Sequence, residues 1–495
     1  MTEVREREHG LTLEQFYDIA AEGRRSEIDA ALARFSASER LRDPIAVGIR
    51  SIKSVVDGDL PGGMALLQRA VPHSEGRTRE YLLDFLIPMF YNTRRLDEAQ
   101  DALDSIDGSA PELASAFLAT QAAIAACRGH DTTSARCALL ALEHGREVDN
   151  PMIVGRTLHR TAMAAFYRED FEEAQDRALE AARLFERLER HRSAAACYAV
   201  LYSISHDWAD DVDLARFYAR RTTMSGHLAE DAGIENYGVL SQFEVAAESG
   251  DARRVESIRG RFLANPMNEQ YYNERFSYTV AEVLARGWEG RFEAARVALV
   301  ALRNAENLTL PERSLCDALL AVVAVATWHV DLARRIARRT INQTAEPSGH
   351  ETIVDARRRR VARILAAAVA IVIGDAVRGR RALSRFVDPE QRLASILDAN
   401  GIDEQQTPAG MRGYARFLNA ACTAANAVRP THSLTEAEME VLQALPAGMT
   451  LATIAVSLGK SRKTVERQVG AIYAKLHVAN RAQAIQRARD LGLHI

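Results

Sequence analysis

Cysteine is scarce in this 495-residue chain: five in all (Cys127, Cys137, Cys197, Cys316, Cys422), with no C-x-x-C pair. An odd number without paired spacing argues against a disulfide framework or a zinc site and fits a reducing compartment. Aromatic residues make up only 6%, and 13 prolines interrupt the whole length. Long apolar runs are missing too. The longest, ALLAVVAVATW (318–328) and ILAAAVAIVIG (364–374), fall short of the ~18–20 residues a bilayer span requires. Both read as buried helices, and no membrane partner is expected. The opening MTEVREREHG has no apolar core, so a secretory leader is not expected and a cytoplasmic location is. Nor is there a strong charge of one sign, since the net charge is −4.

What is present is helix-forming material. Alanine, leucine, arginine and glutamate dominate, and all four have high helix propensity. The length exceeds one ordinary core, so several domains or a repeat array are expected. The charge is uneven. Residues 433–495 carry eight Lys/Arg against five Asp/Glu, a balance of +3, which leaves −7 for the remainder. A basic end on an acidic body suggests a polyanion partner for that end alone.

Most of the chain repeats one shape: an apolar helix, a short polar or glycine turn, then a helix that opens with a small residue. FYNTRRLDEAQDAL (from Phe90), AACRGHDTTSARCAL (from Ala125), AFYREDFEEAQDRAL (from Ala165) and ARGWEGRFEAARVAL (from Ala285) are examples. The small residues Ala30, Ala65, Ala99, Ala135, Ala174, Ala215, Val255, Ala295 and Ala333 recur at spacings of 34 to 41. That is the length of two helices and two turns. One pair cannot bury its apolar face alone, whereas stacked pairs share a continuous core. The stretch AFYREDFEEAQDRALEAARLFERL (165–188) resembles a tetratricopeptide repeat, with Ala165, Tyr167, Phe171, Ala174 and Ala178 as packing positions. The resemblance covers roughly residues 10–385 and implies an α-solenoid whose surface holds a peptide, a protein or a small ligand. The sequence does not identify which.

The pattern breaks in 386–432. DANGIDEQQTPAGMRG (398–413) reads as a loop, YARFLNAACTAANAV (414–428) as a short helix, and the stretch around RPTHS (429–433) as a linker. Beyond it, four short helices are expected. Thr435 and Glu438 form a T-x-x-E capping box ahead of the first, whose apolar residues are Met439, Val441, Leu442 and Leu445. Thr450 caps the second, with Ile454, Ala455 and Leu458 inward. Gly459 makes a tight turn and Ser461 caps the third. A fourth begins at Asn480. A helix, a glycine turn and a capped second helix make a helix-turn-helix.

In the third helix Val465, Val469, Ile472 and Leu476 fall at i, i+4, i+7 and i+11, a single apolar stripe. Lys463, Arg467, Gly470 and Ala474 centre on the opposite face, flanked by Arg462 and Glu466. Ser461, Thr464 and the first N–H groups suit a phosphate. Arg467 suits a guanine edge and Glu466 a cytosine N4. These residues, in the segments LTEAEMEVL, AGMT, IAVSLGKSRKTV and IYAKLHVANRAQAI, resemble the LuxR-type regulators over 434–493. The resemblance implies double-stranded DNA as partner, with Lys460, Ser461, Arg462, Lys463, Thr464, Glu466, Arg467, Gly470, Lys475 and Arg481 as its DNA-binding set. Lys475 would support the helix or touch backbone, and Arg481 would fix the fourth helix or approach phosphate. It further implies a homodimer on DNA through the fourth helix, Asn480–Asp490. Glu466, Gln468, Ala452 and Thr453 depart from the family's usual lysine, histidine and Lys-Glu. Fewer cations mean weaker nonspecific attraction and a different target.

The tail GKS of IAVSLGKS is not a nucleotide loop. Ile454 stands where the first glycine should be, and a helix precedes it. No catalytic constellation, metal-ligand spacing or cofactor motif is apparent, so no enzyme, metal or cofactor is expected. His130, His206 and His329 read as ordinary surface or packing histidines, and the basic run DARRRRVAR (355–363) as a solvated face. The reading is therefore all-α: an α-solenoid of tetratricopeptide-like helix pairs (1–425), a linker (426–433) and a four-helix LuxR-type domain (434–495). The function expected is sequence-specific DNA-binding transcription regulation, with a ligand or partner signal received by the repeats. The rival is a repeat scaffold whose helix-turn-helix serves as a dimer or docking module.

Overall fold

A computed structural model of the chain describes residues 11–383, 407–490 and 493, apart from 94, 148–149, 265–271, 306–307, 347–352, 408, 429–433 and 477. Every regular element among them is helical. The described part of the expected loop at 398–413 includes a single 3-10 turn, Ala409–Met411, and the helix beyond it begins at Arg412 rather than Tyr414. That helix, Arg412–Val428, takes in the first three residues of the expected linker, while 429–433 lie outside the described residues. The chain divides into two compact units. One comprises Met1–Ala281, Pro347–Arg357 and Ala409–Met411; the other comprises Glu282–Glu346, Arg358–Pro408 and Arg412–Ile495.

The middle of the first unit keeps strict time. Its helices Pro151–Tyr167, Phe171–Arg187, His191–Ser203, Val212–Leu228, Ala232–Glu248 and Ala252–Ala264 begin 20 or 21 residues apart. Four of them, all but His191–Ser203 and Ala252–Ala264, end the same way: a residue with positive φ donates to the carbonyl three back, and the next donates to the carbonyl five back, as at Glu169–Asp170 and Gly250–Asp251. This closing motif satisfies the orphan carbonyls of the helix end. Aspartates at 170, 211 and 231 then cap the following helix. Neighbours in sequence pack together. In addition Gly76–Asn92, Ala114–Cys127, Pro151–Tyr167, His191–Ser203 and Ala232–Glu248 each touch the next of their own kind.

The packing positions of 165–188 behave as expected, with Ala165, Phe171, Ala174 and Ala178 buried and Tyr167 partly so. Three of the small-residue markers do not. Ala30, Ala65 and Ala135 face solvent, and Ala31, Gly63 and Ser134 occupy the packed positions instead. One residue turns a helix face by about 100° and two by about 200°, and an alanine near another small residue hides that shift in the sequence. Gly63 has no room for a side chain, because a Cβ there would lie 2.8 Å from the Ser51 carbonyl.

The positive-φ position is usually glycine or an acidic residue: Gly129, Glu169, Glu189, Asp210, Glu230, Gly250, Gly290 and Gly374. In the second unit, at the turn between Leu310–Ala326 and Val330–Gln343, it is Trp328, with φ 58°. A left-handed L-residue costs roughly 1–2 kcal/mol, and a bulky one is uncommon there.

The basic run is not solvated. Asp355, Arg358 and Arg363 are buried. Within the first unit Arg357 clasps Glu248 at 2.6 and 3.2 Å. Within the second, Arg358 donates to Glu312 at 2.6 Å, and Arg363 donates to the carbonyls of Ile341 and Ala382. The helix Ile353–Val372 is enclosed by its neighbours, so its arginines must find partners inside.

Candidate nucleic-acid interface

Four helices follow residue 433: an opening helix Glu436–Ala444, a second Leu451–Ser457, a third Arg462–Leu476 and a closing helix Arg481–Asp490. Thr435 and Glu438 form the expected reciprocal box at the head of the first. Thr450 accepts from the Thr453 amide and caps the second. Gly459 has φ 62°, and the amides of Gly459 and Lys460 bond back to Val456 and Ala455, the same closing motif as in the repeats. Ser461 Oγ then accepts from the Thr464 amide at 3.1 Å, which fixes where the third helix starts.

Val441, Leu442, Leu445, Ile454, Ala455, Val465, Val469, Ile472, Leu476, Ala484 and Ala488 make the core. All four apolar positions of the third helix are in it, and Met439 and Leu458 pack at its edge. The opposite face is open: Lys463, Glu466, Arg467, Gly470 and Ala474 are exposed. A Cβ added at Gly470 would meet nothing within 4 Å, so the internal packing does not require glycine there.

The cations of the domain separate into three groups. Lys460, Lys475 and Arg481 turn inward. Lys460 Nζ donates to Glu440 at 2.7 Å and to the Ala437 carbonyl at 3.3 Å. Lys475 Nζ donates to both Glu438 oxygens, at 2.7 and 3.0 Å, tying the third helix to the first. That bond, with the amide of Thr435, holds the Glu438 carboxyl below the usual carboxylate range. Arg481 donates to the carbonyls of Leu445 and Met449, which fastens the closing helix to the turn after the first. Arg462 lies along the surface, its Nε 2.8 Å from Glu466. Lys463 and Arg467 on the third helix remain, with Arg487 and Arg489 on the closing helix, and none of these has an ion-pair partner among the described residues.

Outside this domain one cluster gathers chemistry-bearing groups. His206, in a π-helical stretch Ile204–Trp208, lies buried between Asp207 at 2.9 Å and Glu248 at 2.8 Å. Burial and Arg357 oppose its charge, yet the two carboxylates hold its pKa up at about 10. It is a packing histidine of an unusual kind, charged and locked, and no histidine motif signalled the distant Glu248. Among the described residues no group of His, Cys, Asp and Glu is arranged to hold a metal, and no helix is long and apolar enough to cross a membrane.

Residues 432–488 match the family profile described as bacterial regulatory proteins, luxR family. No curated protein matches the chain. The C-terminal domain is thus a luxR-family helix-turn-helix, following helical repeats.

Proposed function

We propose that this luxR-family domain makes the chain a sequence-specific transcription regulator that places the helix Arg462–Leu476 in the major groove of double-stranded DNA. One observation carries the reading. The face opposite the buried stripe is open along the helix and presents Lys463 and Arg467 without ion-pair partners, beside the small Gly470 and Ala474. Arg467 reads a guanine edge, and Lys463, the Ser461 and Thr464 hydroxyls and the helix N-terminus meet phosphate. Lys460, Lys475 and Arg481 serve the site by holding its helices in place. Two copies pair through the closing helix on half-sites about one helical turn apart.

The repeat region, residues 1–425, receives a ligand or partner signal. Phe217, Met224 and Leu228 lie along one face of Val212–Leu228, about half exposed, and offer an apolar ridge to such a partner. Nothing in the site calls for catalysis or a cofactor, and we place the protein in the cytoplasm, associated with the nucleoid when bound.

The scaffold reading has one observation in its favour: Arg462 is neutralised by Glu466, leaving few free cations. Selection of bound sequences from random DNA, followed by a salt titration, separates the two. A regulator yields a common motif and a slope of log K against log salt of about −1 per chain, from Lys463 as the cation that meets phosphate. No motif and a slope near zero favour the scaffold.

A further inference from the structure

The turn that carries Trp328 is unlike the other helix-closing turns. Where they place glycine or a carboxylate in the left-handed position, this one places a large aromatic ring, half-buried. Strain of this kind persists only where the surroundings enforce it. What the ring meets lies in the same compact unit: Trp328 packs against the core of the helix-turn-helix domain, at its edge. Three residues on, the Asp331 carboxylate accepts a hydrogen bond from the Gln486 side chain of the closing helix. Arg334 holds that carboxylate from its own helix at 2.5 Å, so the acceptor is fixed before the domain arrives. The helices Val330–Gln343 and Arg481–Asp490 are in contact. Lys463, Arg467 and Gly470 take no part and stay exposed.

We propose that the turn from Thr327 to Asp331 is a docking seat on the repeats for the DNA-binding domain, and that seating competes with pairing of two copies. Trp328 supplies apolar contact to the domain's core, and Asp331 takes the closing helix through Gln486. The competition rests on the reading that two copies pair through that same helix. Gln486 bonded to Asp331 is not free to face a second copy. A seated chain therefore presents its reading face to DNA as a single copy, and an unseated chain is free to pair. The seat lies in the turn between two repeat helices, so a ligand or partner that shifts Val330–Gln343 acts directly on its occupancy.

Trp328→Gly separates the seat from the fold, because glycine is relaxed at this φ while the ring is lost. Amide hydrogen exchange on the full chain reads the result. The expected outcome is exchange about tenfold faster in Arg481–Asp490, with Leu310–Ala326 no less protected than before. Gln486→Ala, an exposed change on the domain side, should give a smaller rise in the same helix. On DNA carrying two selected half-sites, Trp328→Gly, which leaves the closing helix itself unchanged, should pair more cooperatively than wild type, while affinity for one half-site stays within about twofold. Unchanged exchange in the closing helix of both variants overturns the seat. Faster exchange without a gain in pairing overturns the competition alone. Failure of the wild type to select any DNA motif overturns the regulator reading instead, and the exchange result still decides the seat.

Discussion

Two basic stretches, DARRRRVAR at 355–363 and GKSRKTVER at 459–467, look alike as strings and end in opposite places. The first lies on a helix enclosed by others, and its arginines turn to carboxylates more than 40 residues distant in sequence, Glu248 and Glu312. The second lies on a helix buried along one stripe only, so among the described residues Lys463 and Arg467 have no carboxylate to turn toward. The lesson is that a cation's fate depends on the carboxylates other helices bring, and on how much of its own helix remains open. A buried guanidinium must be paired because desolvation is expensive. An exposed one without a partner is available to a ligand.

The largest break in this comparison should come from Arg358→Ala. Glu312 is fully buried, and it also bonds the Thr309 amide at the head of its helix. Without Arg358 its charge is left uncompensated, and denaturant unfolding should show a loss of about 3–5 kcal/mol. Arg467→Ala should do the reverse. Stability should stay within about 0.5 kcal/mol, while affinity for a selected site falls by about 1–3 kcal/mol and preference relaxes at one base position. Lys475 falls between the two, and its removal should cost the domain about 1 kcal/mol at neutral pH. The Glu438 carboxyl is depressed in the folded state by Lys475. Its stabilisation is therefore complete above the ordinary carboxylate pKa of 4.5 and is lost as pH falls below it. Thermal melts from pH 7 to pH 3 should fall less steeply for Lys475→Ala than for the wild type, because the variant has less of that stabilisation to lose.

Much of the C-terminal domain was legible in the sequence. Caps at Thr435, Thr450 and Ser461 and the turn at Gly459 are local signals, and the stripe Val465–Val469–Ile472–Leu476 is a periodic one. They correctly give four helices and one open face. The partition of the cations was not legible. That Lys475 reaches Glu438, and Arg481 the Leu445 carbonyl, depends on how the helices cross, which no spacing along one helix reports. In the repeats the turns and the pair length were legible, and the packed face was not always so, as Ala30 and Ala135 show. The solvated reading of 355–363 failed for the same reason that hid the His206–Glu248 contact: the partners are far along the chain. Neither the left-handed backbone of Trp328 nor the core it touches leaves a signal in the sequence around it.

The even beat of the helices from Pro151 to Ala264 has a consequence for how such a chain can change length. Helices come in two alternating kinds: Pro151–Tyr167, His191–Ser203 and Ala232–Glu248 pack each on the next of their own kind, while those between pack chiefly on their neighbours in sequence. Excising about 20 residues would splice a helix of one kind onto the place of the other and misassign every helix downstream. Excising about 40 would delete a whole sentence and leave the grammar intact. Insertions and deletions here should therefore be counted in doubled units, and a loss of one helix should be read as a broken protein rather than a shorter one.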